Sequence, residues 1–62
     1  MTLEEQIWED LVKRKKFCSA GQISRKLMIS ISHVREVLNA YHQRGILDKV
    51  VRAKTNFYRI KP

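Results

Sequence analysis

Ser32, His33, Arg35, Glu36 and Asn39 fall inside one short stretch and carry a hydroxyl, an imidazole, a guanidinium, a carboxylate and an amide. In a helix, successive side chains turn by about 100°. With Val34 pointing inward, Ser32, Glu36, Asn39 and Gln43 fall on the opposite side, flanked by His33, Arg35 and Ala40. The chemistry such a set supports is hydrogen bonding to flat polar edges. An arginine fork fits guanine O6 and N7, an asparagine amide fits adenine N6 and N7, and a carboxylate accepts from cytosine N4. Glu36 stands out because its neighbours three and four residues away are Ser32, His33, Asn39 and Ala40, none of them cationic. A lone carboxylate on a surface facing phosphates is costly unless it selects something. The plainer alternatives, Glu36 facing water and Ser32 as a capping residue, stay open.

Other chemistries fit poorly. His33 and His42 are nine apart, about 180° around a helix, and cannot share a metal. No Cys or His stands at zinc-ligand spacing, so no metal and no cofactor is expected. Gly21 and Gly45 are the only glycines, which leaves no Gly-rich phosphate loop. The acids of the first segment read as a solvated face. A chain of 62 residues rarely builds a water-excluding pocket, so neither an enzyme nor a small-molecule substrate is expected.

Charge points to a polyanion. The formal net charge is +7, but residues 1–10 carry Glu4, Glu5, Glu9 and Asp10 and no cation. All thirteen Lys and Arg lie from Lys13 onward, against only Glu36 and Asp48, which makes that part about +11. Arg25, Lys26, Arg44, Arg52 and Lys54 surround the polar face and are the candidates for phosphate contact. The run Lys13 to Lys16 is sufficiently explained by a helix C-terminus, with a phosphate clamp as the alternative. A membrane surface is disfavoured, because no exposed Trp, Phe or Leu stripe accompanies the cations. The acidic N-terminus lacks a signal peptide's basic start, no apolar run approaches a span, and the single Cys18 suits a reducing cytosol. A cytoplasmic protein is expected, with Cys18 as a small buried hydrophobe.

The elements that would position these groups can be read from caps and periodicity, and they make one α+β domain over residues 1–62. Helix 1, residues 3–15, opens on the capping-box pair Thr2 and Glu5 and carries Glu9–Lys13 and Asp10–Arg14 pairs. Its apolar face, Leu3, Ile7, Trp8, Leu11 and Val12, is wider than one contact needs. The Trp8/Val12 edge is expected to lie under a hairpin, with a dimer seam as the alternative. Helix 2, residues 20–27, starts at Ser19 with Gln22 three residues on, stapled by Cys18 and Ile23. Helix 3, residues 31–44, starts at Ser30, stapled by Ile29 and Val34, and stops at Gly45. Ile31, Val37, Leu38 and Tyr41 share the inward side with Val34. Residues 46–61 read as a β-hairpin, with a polar turn over 53–56 and Tyr58 and Ile60 on one face. Phe57 alternates away and is expected to pad the strand against helix 1.

Helix 1, the tightly joined helix pair and the basic hairpin together resemble the winged helix-turn-helix domain over nearly the whole chain. Ile23, Leu27, Ile29, Val34 and Val37 fill the inward positions of that motif, and the stretch Val34 to Leu47 looks like the recognition-helix-to-wing passage of many bacterial repressors. Among short examples the chain is most similar to small enterobacterial fimbrial-operon regulators of the Fae/Pap type. Ser24 stands where the motif usually has a smaller residue, and Met28 where it usually has the turn glycine, so the joint is expected to differ from the repressor turn. The wing has no cysteine cluster like that of the ferrous-iron-transport winged helices. It also lacks the Pro and Trp of Z-form nucleic acid binders.

The resemblance implies a regulator of transcription that binds double-stranded DNA, with helix 3 in the major groove and the wing on the backbone or minor groove. Ser32, His33, Arg35, Glu36 and Asn39 would then contact bases. A homodimer or a co-regulator protein is a possible partner. The alternatives are a winged-helix adaptor between proteins, or an architectural or excision factor of a mobile element.

Overall fold

A computed structural model describes residues 2–61. Three helices and a three-stranded antiparallel sheet alternate as α1 (Leu3–Arg14), β1 (Cys18–Ser19), α2 (Ala20–Leu27), α3 (Ile31–Gln43), β2 (Leu47–Arg52) and β3 (Thr55–Ile60). This is an α+β fold with the element order of a winged helix, in which β2 and β3 form the wing. Ile7 and Leu11 of α1, Ile23 of α2, and Val34, Val37 and Leu38 of α3 bury their side chains together with Leu47 and Tyr58 of the hairpin. No helix among the described residues is long and apolar enough to cross a membrane.

Capping residues delimit the helices. Thr2 Oγ1 accepts from the Glu5 N–H at 3.1 Å, and α1 ends on Lys15 in the left-handed region. At α2 both halves of the capping box form: Ser19 Oγ accepts from Gln22 N–H and Gln22 Oε1 accepts from Ser19 N–H. Ser30, read as the start of helix 3, is the N-cap of α3, but its side chain makes no capping bond; its carbonyl accepts from Val34 N–H. At the other end, Gly45 N–H donates to the His42 carbonyl and Ile46 N–H to that of Tyr41. With Gly45 at φ +79° this is the Schellman stop, a conformation that favours glycine.

The corner between α2 and α3 uses the two unusual residues directly. Met28 takes φ +56°, where its N–H and that of Ile29 both reach the Ser24 carbonyl, and the Ser24 hydroxyl donates to the Ile29 carbonyl. Ser24 thus closes the corner, and Met28 bears the left-handed strain with its side chain 91% exposed. Met28→Gly should therefore remove strain and no packing. It is expected to stabilise by about 0.5–1 kcal/mol after glycine's entropic cost, read as a melting temperature roughly 3–6 °C higher. A lower melting temperature would mean that the Met28 side chain holds the corner.

The sheet differs from expectation in three places. Cys18 and Ser19, expected only as staple and cap, also form β1, pairing with Tyr58 and Phe57 of β3 to give the order β1-β3-β2. Burial explains the side chain: the Cys18 thiol is a free, buried group that donates to the Tyr58 carbonyl, and burial pushes its pKa up. The hairpin turn is tighter than a four-residue loop. Ala53 and Lys54 both have positive φ, the type I′ geometry, so Arg52 pairs with Thr55 and Val51 with Asn56. Phe57 does not pad α1. It pairs with Val50 and shares a surface hollow of about 270 Å³ with Phe17, Val50 and Arg52.

The Trp8 edge is met by the hairpin only in part. Trp8 packs on the core and meets Tyr41 edge-on at 5.4 Å, while Val12 stays 45% exposed. Leu3 and Ile31, both expected to point inward, are partly exposed as well.

Candidate nucleic-acid interface

Between α3 and the wing lies an open cleft of about 560 Å³, and both elements and the start of α2 contribute to its walls. From α3 come Ile31, Arg35, Glu36 and Asn39; from the hairpin, Lys49, Lys54, Thr55, Asn56 and Tyr58; from the α2 end, Ser19, Ala20 and Gly21. The helix period explains the first group. Relative to buried Val34, Ile31, Arg35 and Asn39 point about 60°, 100° and 140° around α3 and form one ridge beside the sheet. The strand period explains the second, since Lys49 and Asn56 share a sheet face with buried Leu47 and Tyr58, Lys49 level with Tyr58 on the edge strand and Asn56 two residues nearer the tip.

Electrostatically the cleft is cationic. Arg35, Lys49 and Lys54 are exposed, and Glu36 is the single carboxylate in the lining. The opening of α2 adds its backbone N–H groups, which favour an anion's oxygens. Gly21 leaves that helix end bare, although a Cβ there would meet nothing nearer than 3.8 Å.

The cleft unites Arg35, Glu36, Asn39 and Lys54 from the sequence-based candidates. Ser32 and His33 lie outside its lining, Ser32 exposed and His33 half-buried. Arg25 is exposed on α2, and Arg52 lies on the other side of the wing beside Phe17 and Phe57. Arg44 is exposed just past the end of α3, outside the cleft lining, and its charge lowers the Tyr41 pKa while Glu4 and Glu5 raise it. Burial is the largest effect on that phenol and carries it upward; its hydroxyl donates to the Glu4 carbonyl at 3.4 Å.

Lys26 stands apart from the other cations. Its ammonium lies 2.9 Å from Asp10 Oδ1, so it has an internal partner while its side chain stays half exposed. The acids of helix 1 are accordingly not all a solvated face. Asp10 is only 3% exposed and also accepts from Arg14 Nε at 2.6 Å. Burial alone would raise its pKa, but the hydrogen bonds and charges of Arg14 and Lys26 outweigh that and hold the carboxyl below its ordinary value.

Lys49, Asn56 and the α2 N-terminus went unrecognised in the sequence. Lys49 alternates with Leu47 and Val51, which reads as a core-facing position until β2 is seen to be the edge strand beside the cleft. No family model, curated protein or solved structure matches this chain.

Proposed function

We propose that the chain is a cytoplasmic regulator of transcription that binds double-stranded DNA with α3 in the major groove. The observation that carries this reading is the cleft itself, where a polar helix ridge and a cationic wing face one another across open space. With α3 in a groove, one sugar–phosphate strand runs along the cleft. Lys49, Lys54 and the α2 N-terminus then meet its phosphates and set the register, while Arg35, Asn39 and Glu36 reach base edges. Ser32 and His33 sit at the flank near the start of α3, and Arg25 and Arg52 extend the cationic surface to either side. Lys26 is set aside because Asp10 already accompanies it, and exposed Arg44 lies outside the cleft lining.

The test is a titration of mixed duplex fragments at several salt concentrations. With about three to five phosphates neutralised, log K should fall against log salt with a slope of about −3 to −4.5. A folded sample showing no salt-sensitive binding would reject DNA and favour the adaptor reading. That alternative has one observation behind it: the exposed Val12 beside Trp8, Arg59 and Ile60 at an open hollow of about 410 Å³.

A further inference from the structure

β2 is an edge strand whose outer backbone groups have no ladder partner, since the sheet order is β1-β3-β2. Its hydrogen-bond phase follows from one bond. Lys61 N–H donates to the Ile46 carbonyl at 3.0 Å, in the same register that pairs Leu47 with Ile60. Antiparallel ladders alternate, so Asp48, Val50 and Arg52 turn their backbone groups to β3, and Leu47, Lys49 and Val51 turn theirs to the open edge. Such an edge commonly carries a proline, a bulge or charges that repel a second edge. β2 is six residues long without a proline, its charges Asp48, Lys49 and Arg52 are of mixed sign, and its Val51 is 60% exposed.

We infer that this edge pairs with the same edge of a second copy of the chain, antiparallel and centred on Val50. Only registers that set an outward-turned residue opposite another satisfy the backbone. In the one centred on Val50, Lys49 and the partner's Val51 exchange both bonds, and the symmetric pair does the same. The side chains then agree with the backbone. Val50 meets the partner's Val50, and Asp48 meets the partner's Arg52 on either side of the axis, in the close non-hydrogen-bonded positions. The register centred on Lys49 instead places two ammonium groups opposite each other. The register centred on Val51 sets Val50 against Arg52 and Asp48 against the turn.

Asp48 and Arg52 are equidistant from Val50, which makes the edge complementary to itself. Asp48 already accepts from Arg59 at 3.4 Å, and a half-buried carboxylate has lone pairs for a second guanidinium. The hollow formed by Phe17, Val50 and Phe57 continues across the axis into its copy, covering apolar surface that the monomer leaves open. Side chains of paired residues share a face, so both copies keep their helices on one side of a six-stranded sheet. Nothing in this pairing depends on DNA.

Sedimentation equilibrium of the whole chain, up to millimolar concentration, tests it. The expected result is an average mass rising with concentration from 7.4 kDa toward twice that value. Val51→Pro removes an N–H that the monomer's ladder does not use, and Arg52→Asp sets like charges opposite each other. Each should hold the mass at the monomer value with an unchanged circular dichroism spectrum. Val12→Arg, on the other exposed apolar edge, should leave the rise intact. A monomer at every concentration overturns the inference, as does undiminished association of Arg52→Asp or its loss in Val12→Arg. If Val51→Pro unfolds, Arg52→Asp alone decides.

Discussion

Asp10→Asn is expected to destabilise the fold by about 2–3 kcal/mol, seen as a melting temperature on the order of 10–20 °C lower for a domain of this size. The carboxylate sits between α1 and α2 with its two oxygens divided between Arg14 and Lys26. Asparagine keeps the shape but loses the charge, and its amide nitrogen would face one of two cationic donors with no acceptor between them. Arg14 is the better-sheltered partner, with a side chain 19% exposed, and it carries most of the loss. Lys26 is half-exposed, and water screens its share, so Lys26→Met should cost less than about 1 kcal/mol. Thermal and denaturant melts of both variants measure the difference. Asp10→Asn within about 0.5 kcal/mol of the parent would show that the buried carboxylate contributes nothing net.

The same group gives stability a defined pH dependence. Its pKa in the folded chain lies below its ordinary value, so the folded state binds a proton less readily than the unfolded one. The stabilisation is complete above the ordinary aspartate range, about pH 4. It is lost as pH falls through the lower, folded pKa. Denaturant midpoints followed downward from neutral pH should fall for the parent chain. The gap to Asp10→Asn should close in the acid range, since a protonated Asp10 and an asparagine are nearly equivalent there.

Where the fold was legible, a local signal existed. Ser19 with Gln22, and Gly45 after Arg44, mark helix ends through bonds made within a few residues, and these formed as written. What the sequence hid depends on distant partners. β1 is two residues long and exists only because β3 pairs with it some forty residues later. The Ala53–Lys54 turn lacks the Asn-Gly type of signature, so its tightness comes from the ladder on either side. Asp10 has the spacing of an exposed i,i+4 pair, and only α2 crossing beside it, bringing Lys26, turns it into a buried bridge. Periodicity alone set Arg35, Glu36 and Asn39 on the outer side of α3, but it also turned Ile31 inward and grouped Ser32 and His33 with them. Which cations share the cleft was not legible, because that depends on where the wing lies beside α3.

Arg35→Ala and Asn39→Ala should each weaken binding to a selected DNA site by about 1–3 kcal/mol and broaden the bases accepted at one position, with little effect on random duplex. The two side chains stand four residues apart on the ridge that lines the cleft, so a single placement of α3 brings both to neighbouring base pairs. Arg35→Lys should recover little of the loss, because an ammonium cannot present the planar fork that guanine O6 and N7 require. Lys49→Ala and Lys54→Ala should behave differently. Each removes about one phosphate contact, lowers affinity for all duplexes alike, and makes the salt slope shallower by about 1. Arg44→Ala is the matched control: it removes a cation from the end of the same helix, but one outside the cleft lining, and it should leave both affinities unchanged. Sites drawn from a random duplex pool, then titrated with each variant at two salt concentrations, separate these outcomes. If Arg35→Ala and Asn39→Ala weaken selected and random DNA equally, the α3 ridge does not read bases. If Arg44→Ala matches Lys49→Ala, affinity follows net charge and the cleft has no special place in it.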